Sequence, residues 1–196
     1  GNVIDELLKR KILTKEIAVE DLTLEDRQAI LIFLRNTAFG SELNMRIIDP
    51  KTNEFFDYTV DLSELSYKEF DLKEDENGNY PYFMEKSKKH ITFNFLTQKD
   101  EIELDQINKS WNGLGTAPIV TKRLEKLIKS VDGNPDPMNI RNFIETLPII
   151  DSQNFRKYVN KVKPGVDLTQ TTNAPSGEKV TFNIDFGVEF FRPFYG

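Results

Sequence analysis

A turn followed by an alternating strand occurs twice in this sequence, once near residue 50 and once close to the last residue. The first copy spans Ile48–Leu62 and the second spans Asn173–Phe186. Aligned on Glu54 and Glu178, the two copies pair Tyr58 with Phe182, Val60 with Ile184, and Asp61 with Asp185. Each copy begins with a proline-containing polar turn, and the alternation that follows is typical of a half-buried strand. The repeat therefore predicts two small β-hairpin units.

Neither copy contains cysteine, and the whole chain has none. Small knuckles of this shape are often closed by paired CxxC thiolates around a zinc ion. A chain without cysteine excludes disulfides, thiolate metal sites and a cysteine nucleophile. We therefore predict units that hold no metal and no cofactor, in an interaction protein rather than an enzyme.

The composition sets the class of protein. With 196 residues the chain can bury a sizeable core without covalent staples. It carries 32 acidic and 26 basic residues, and a net charge of -6 argues against nonspecific binding to nucleic-acid phosphates. No apolar run approaches the roughly 18 residues that cross a bilayer, and no signal-peptide pattern opens the sequence. We expect one soluble, acidic domain over residues 1–196 that binds neither nucleic acid nor membrane.

Hydrophobic periodicity places helices between the two hairpin units. The hairpin units are predicted at residues 43–62 and 166–188, and a helical region is predicted at residues 117–162. The first helix of that region carries an i, i+3, i+4, i+7 stripe, formed by Leu124, Leu127, Ile128 and Val131. The fold class is therefore α+β, with a helical middle flanked by two antiparallel, zinc-ribbon-like but metal-free hairpin units.

Shorter patterns predict the remaining elements. They are a short helix at Asp5–Arg10, a strand at Leu13–Glu20, an apolar helix from Thr23 to near Gly40, strands at Tyr82–Met84 and His90–Leu96, and a helix that begins at Thr97.

Two segments resemble sites of chemistry, but each has a simpler explanation. His90 is the single histidine, so any histidine acid–base scheme depends on it, and its place at the start of a strand favours an exposed structural role. Asp132–Asp136 has oxygen ligands at alternate positions, like the start of a calcium loop. Pro137 and Phe143 occupy the positions where such a loop needs glycine and a distal glutamate, which favours a turn between helices.

Two further segments suggest phosphate or polyanion binding. Gly113–Thr116 lacks the Lys-Ser/Thr pair of a phosphate-binding loop and is interpreted as a link between helices. Lys122, Arg123, Lys126 and Lys129 lie on the polar side of one helix. In an acidic chain they favour a solvated or protein-binding face over a nucleic-acid site.

The last seven residues contain four aromatic side chains, which are unfavourable in water unless they pack against protein. Self-packing and an intermolecular contact are both compatible with this composition. The predicted interaction residues are those of this tail together with the prolines of the two repeated turns. They are Phe190, Phe191, Arg192, Pro193, Phe194, Tyr195, Pro50 and Pro175.

Short segments spread along most of the chain resemble one known family. They are Asp21–Thr23, Asp26–Arg27, Ile30–Leu31, Phe39–Gly40, Val60–Ser63, Ser130–Gly133, Arg141–Glu145, Asp151–Ser152, Arg156–Tyr158, Pro164–Asp167 and Phe190–Pro193. As a set they resemble the baseplate proteins of T4-like bacteriophages, the hub-associated subunits of contractile tails. Members of that family often carry a CxxC knuckle near the C-terminus, where this chain has Ala174–Glu178.

The resemblance implies a non-enzymatic structural role in a virion tail baseplate that is assembled in the host cytoplasm. Its partners would be other phage baseplate or tail proteins, with a homo-oligomer as a further possibility. Within that setting we expect a structural subunit of the hub or wedge that mediates protein–protein assembly. One alternative is a transient assembly chaperone that is absent from the mature virion, and a hydrolase that uses His90 is a competitor from another class.

Overall fold

The computed structural model describes residues 3–12, 17–111, 118–186 and 188–191. Within these ranges the fold is α+β, and all strand pairs are antiparallel. The helices are α1 (Val3–Lys11), α2 (Leu24–Phe39), α3 (Gln98–Ser110), α4 (Ile119–Leu127), α5 (Pro137–Glu145) and α6 (Ile149–Val162). The strands are β1 (Glu42–Ile48), β2 (Phe55–Asp61), β3 (Tyr80–Met84), β4 (Lys89–Phe93), β5 (Ile128–Val131), β6 (Thr169–Asn173) and β7 (Lys179–Asn183).

The chain divides into two compact units, each built from two separated segments. The helical unit comprises residues 1–24 and 69–163, and the hairpin unit comprises residues 25–68 and 164–196. The α+β class and the two predicted antiparallel hairpins are confirmed, since β1 pairs with β2 and β6 pairs with β7. The single-domain organisation predicted for residues 1–196 and the likeness of the hairpins to zinc ribbons stay predictions.

The helical unit packs α4, α5 and α6 against a three-stranded sheet of order β3-β4-β5. Phe93 of β4 and Phe155 of α6 are fully buried at the centre, with their rings edge to face at 5.4 Å. Leu124 and Leu127 of α4 and Ile140 of α5 belong to the same apolar core. Each of these side chains removes a large apolar area from water, which is the main favourable term in folding.

One predicted helix is wrong at its end. Helix α4 stops at Leu127, and Ile128–Val131 continues as β5 beside β4, with Ile91 opposite Val131 and Phe93 opposite Ile128. The stripe correctly identified buried positions, because its four residues all lie in the core. The open edge of β4 offers backbone partners that helical periodicity does not report, so β5 interrupts the predicted helical region at 117–162.

The strand predicted at Leu13–Glu20 is also wrong where the structure describes it. Val19–Asp21 forms a single 3-10 turn, with Val19 buried and Ile17 exposed. The alternation of Ile17 and Val19 therefore does not mark the buried face of a strand. Residues 13–16 lie outside the described ranges.

Two basic residues of α4 bind acidic residues of α3, whereas Lys122 pairs with Glu125 of its own helix at 2.8 Å. Arg123 forms two hydrogen bonds to the carboxylate of Glu101, both at 2.8 Å. Lys126 contacts Asp100 at 2.9 Å and Glu103 at 2.6 Å. Arg123 and Lys126 thus join two helices of their own unit, whereas Lys129 is exposed and donates to the Lys126 carbonyl.

A buried carboxylate fastens the turn between β3 and β4. Asp151, in the first turn of α6, accepts hydrogen bonds from the backbone N–H groups of Lys86 and Ser87, at 3.0 and 2.7 Å, and from the Ser87 hydroxyl at 2.8 Å. Burial alone would raise the pKa of Asp151, but these hydrogen bonds outweigh it and hold the pKa below its ordinary value.

We predict that Asp151→Ala lowers the free energy of unfolding by about 2–3 kcal/mol, because the turn N–H groups lose their acceptor. Urea denaturation followed by circular dichroism measures the change. Gln153→Ala, an exposed position on the same helix, is the matched control and should stay within about 0.5 kcal/mol of the wild type. Equal stability of the two variants would contradict the assigned role of Asp151.

Candidate functional site

Hairpin 1 is the β1–β2 pair, and its sequence alternates between a buried and an exposed face. Leu43 opposite Val60 and Ile47 opposite Phe56 point inward. The turn is closed by the Asp49 N–H, which donates to the Glu54 carbonyl at 2.8 Å. Its chain reversal includes a left-handed residue, Asn53, with φ of 59°, and asparagine tolerates this conformation better than most residues.

Hairpin 2 is the β6–β7 pair, and it repeats the closure of hairpin 1. The Ala174 N–H donates to the Glu178 carbonyl at 2.8 Å, at the position equivalent to Glu54. Gly177 takes φ of 86° in this turn, which glycine adopts without steric cost. The exposed face of hairpin 2 is polar, with Thr171 opposite Thr181 and Thr169 opposite Asn183.

The positions paired by the repeat meet in space. The rings of Tyr58 and Phe182 pack edge to face, with centroids 5.7 Å apart and an interplanar angle of 80°. Val60 and Ile184, the next aligned pair, are both buried. The two copies of the turn-and-strand unit therefore contact each other through one pair of equivalent residues, Tyr58 and Phe182.

A single carboxylate links the tips of the two hairpins. Asp49 is 2% exposed, and it accepts hydrogen bonds from the Ser176 N–H at 3.0 Å and the Ser176 hydroxyl at 2.7 Å. It also accepts from the Lys51 N–H at 2.9 Å, within its own turn. Burial alone would raise the pKa of Asp49, but the hydrogen bonds from Ser176 and Lys51 outweigh it and the pKa lies below its ordinary value. We call this contact the tip lock.

Arg35 of α2 fixes the other end of hairpin 1. Its Nε donates to the Phe190 carbonyl at 2.9 Å, and its two terminal nitrogens donate to the carbonyls of Gly40 and Glu42. The side chain is buried, and this burial lowers the pKa of the Arg35 guanidinium. One guanidinium thus joins the end of α2, the start of β1 and the 3-10 turn Val188–Phe191.

The predicted interaction residues fall into three groups. Pro50 and Pro175 are exposed and lie directly beside the two residues of the tip lock. Phe190 is 2% exposed and packs against Phe186 and Phe191, at centroid distances of 4.7 and 5.0 Å. Arg192, Pro193, Phe194 and Tyr195 lie outside the described residues. Phe190 is therefore enclosed, whereas the turn prolines and the outward hairpin faces are exposed.

The segments that resembled chemical sites have structural contacts. The exposed His90 ring packs at a tilt against Phe83, with ring centroids 4.7 Å apart, and the His90 backbone N–H donates to Asp132 at 3.1 Å. Asp132 also binds Lys89 at 2.6 Å, and these contacts lower the pKa of Asp132. The turn that contains Asp132 joins strand β5 to helix α5. The prediction of a turn between two helices is therefore wrong, because the element before the turn is a strand. The Gly113–Thr116 segment lies outside the described residues.

Within the described ranges, no three His, Cys, Asp or Glu side chains come together in an arrangement that could hold a metal ion. None of the helices in those ranges has the length and apolar character needed to cross a membrane. The described part of the hairpin unit contains two hairpins that are held against each other and whose turn prolines are exposed.

A family model described as T4 bacteriophage base plate protein matches residues 1–192. The chain belongs to this family. It is therefore a structural protein of a phage tail baseplate, in which it contacts other tail proteins, and the family indicates a non-enzymatic role. No curated protein and no solved structure matches the chain.

Sequence reasoning did not identify Asp49, Ser176 or Arg35 as key residues of this baseplate protein. A partial signal was present, because Asp49 and Ser176 each adjoin the proline of a repeated turn. The contact joins residues 127 positions apart, however, and local patterns do not report such a distance. Arg35 lies in an otherwise apolar stretch of α2, where a charged residue indicates either an exposed site or a buried site with several acceptors.

We predict that Asp49→Asn reduces the dependence of stability on pH. An ionised group whose pKa is lower in the folded than in the unfolded state stabilises the protein above the unfolded value, which is about 3.9 for aspartate. That contribution is lost as the pH falls through the folded pKa. Thermal unfolding at about pH 7 and about pH 3 should show a larger loss of Tm for the wild type than for Asp49→Asn.

Asp57→Asn is the control for this measurement, since Asp57 is exposed and forms only a 3.8 Å ion pair with Arg46. It should retain the pH dependence of the wild type. If Asp49→Asn also retains it, the carboxylate does not act as the tip lock requires.

We predict that Phe190→Ala destabilises the protein by about 3–5 kcal/mol, as expected for removal of a fully buried aromatic ring. Phe191→Ala should cost less, because Phe191 is only partly buried. Guanidinium denaturation of the two variants provides the comparison. Wild-type stability of Phe190→Ala would place this ring outside the folded core.

Proposed function

We propose that this baseplate protein is a structural subunit of the hub or wedge, and that its paired hairpins mediate assembly with other tail proteins. The observation that carries the proposal is the tip lock, in which Asp49 joins the turns of two hairpins through Ser176. The Tyr58–Phe182 contact holds the same pair together at a second point.

Two fixed hairpins suit a docking element for an energetic reason. Binding through a mobile loop carries the entropic free-energy cost of ordering that loop, whereas a preorganised surface avoids this cost. An isolated two-stranded hairpin is only marginally stable in water, and packing one hairpin against another supplies the missing apolar contact. The exposed tips, with Pro50 and Pro175, are then presented on a rigid base.

The exposed side chains of hairpin 1 favour protein binding over a purely solvated role. Ile48 and Phe55 lie opposite each other next to the turn, and they are 47% and 61% exposed. Exposed aromatic and branched apolar side chains gain free energy when a partner removes them from water. The same surface would serve a transient assembly chaperone, which is the alternative function.

Virion composition separates the two functions. We predict that quantitative mass spectrometry of gradient-purified virions finds this chain at a fixed ratio to other baseplate proteins in independent preparations. An abundant host cytoplasmic protein, measured in the same samples, serves as the control for contamination and should vary between preparations. Loss of the chain from purified virions, with its presence in assembling lysates, would contradict the structural role and support the chaperone.

A further inference from the structure

The exposed face of hairpin 1 has an ordered distribution of side chains, and we name it the outer face. It consists of four cross-strand pairs, which are Glu42–Asp61, Asn44–Thr59, Arg46–Asp57 and Ile48–Phe55. Seven of these eight residues are exposed, and Asp61 is half-buried. The apolar pair lies at the turn end of the face, and the acidic pair lies at the open end.

The apolar end has the character of a binding anchor. Ile48 and Phe55 are neighbours across the strands, so their exposed surfaces form one patch rather than two scattered contacts. The guanidinium of Arg46 lies 5.3 Å from the centroid of the Phe55 ring. An aromatic side chain supported in this way loses little conformational freedom when a partner covers it.

The acidic end places two acidic residues opposite each other on neighbouring strands. Glu42 lies directly opposite Asp61, and like charges in this position destabilise a strand pair. The Asp61 carboxylate accepts hydrogen bonds from the Ser63 N–H at 2.9 Å and the Ser63 hydroxyl at 2.6 Å, and hydrogen bonds from Ser63 and Ser41 lower its pKa. A cation supplied by a partner would be attracted to both of these acidic side chains.

The middle of the outer face does not supply that cation. The Arg46 Nε lies 3.8 Å from the Asp57 carboxylate, and the guanidinium also contacts the ring of Phe55, which belongs to the next cross-strand pair toward the turn. The hairpin unit as a whole contains twelve acidic and seven basic residues, and it therefore carries most of the net negative charge of the chain. Charge complementarity thus favours a basic partner.

We propose that the outer face of hairpin 1 docks onto a basic surface of another baseplate protein. That surface has an apolar recess for Ile48 and Phe55 and a lysine or arginine opposite Glu42 and Asp61. The recess and the basic group are about 20 Å apart, the length of six residues of antiparallel strand. This inference rests on the proposed baseplate function and adds the chemistry of the partner.

Glu42→Lys tests the inference because it changes stability and assembly in opposite directions. Opposite Asp61, the lysine forms a favourable cross-strand pair, so the isolated protein should be at least as stable as the wild type. In phage that lack the native protein and are complemented in trans, the number of variant copies per virion should fall about tenfold, the effect of about 1.4 kcal/mol of lost binding.

Glu145→Lys is the matched control, since Glu145 is an exposed acid at the end of α5 in the helical unit. It makes the same charge change away from the outer face and should leave incorporation unchanged. Wild-type incorporation of Glu42→Lys, or an equal loss for both variants, would overturn the assignment of the outer face.

Cross-linking identifies the partner chemistry directly. A photoreactive phenylalanine analogue at position 55, activated in infected cells during assembly, should link to a peptide of another phage tail protein that contains lysine or arginine. A link to a second copy of this chain, to a peptide without basic residues, or to no protein would overturn the inference. Since the link forms before virions are complete, its outcome is independent of whether the chain remains in the mature particle.

Discussion

The hydrogen bonds between Asp49 and Ser176 connect two turns that are 127 residues apart in sequence. Each hairpin is a sheet of two strands, and a two-stranded hairpin alone is at best marginally stable in water. The tip lock fixes the turns against each other, and the rings of Tyr58 and Phe182 add an apolar contact between the hairpins. The docking surface depends on this arrangement, because a loose pair of hairpins would not present its side chains in a fixed pattern.

Both units use the same chemistry to hold a turn. Asp151 in the helical unit and Asp49 in the hairpin unit are each 2% exposed, and each accepts two backbone N–H groups and one serine hydroxyl. A buried carboxylate is costly unless its oxygens are satisfied, and these hydrogen bonds supply that satisfaction without a counter-ion. Arg35 is a buried cation rather than a buried anion, and its guanidinium is satisfied by donating to three backbone carbonyls. A chain without cysteine thus fixes its turns with polar contacts in place of thiolate chemistry.

Local sequence patterns predict the elements of this fold better than they predict its contacts. The helix after Thr97 begins as expected, since the Thr97 hydroxyl and the Asp100 carboxylate form a complete capping box. The repeat correctly identifies both hairpins, and it aligns Tyr58 with the residue that it contacts. The strand at Ile128–Val131 is missed because helical periodicity and strand pairing bury the same side chains there. The tip lock is missed because a single polar residue in a turn carries no information about a partner that is distant in sequence.

Hairpin 1 should have a specific environment in the assembled particle, and a cryo-electron microscopy reconstruction of the tail baseplate tests this most directly. The outer face should be covered by another tail protein, with Ile48 and Phe55 in an apolar recess and basic side chains opposite Glu42 and Asp61. The contact between Asp49 and Ser176 should be intact. A reconstruction that contains the chain with this face open to solvent, or with the two hairpins apart, would contradict docking through a fixed pair of hairpins.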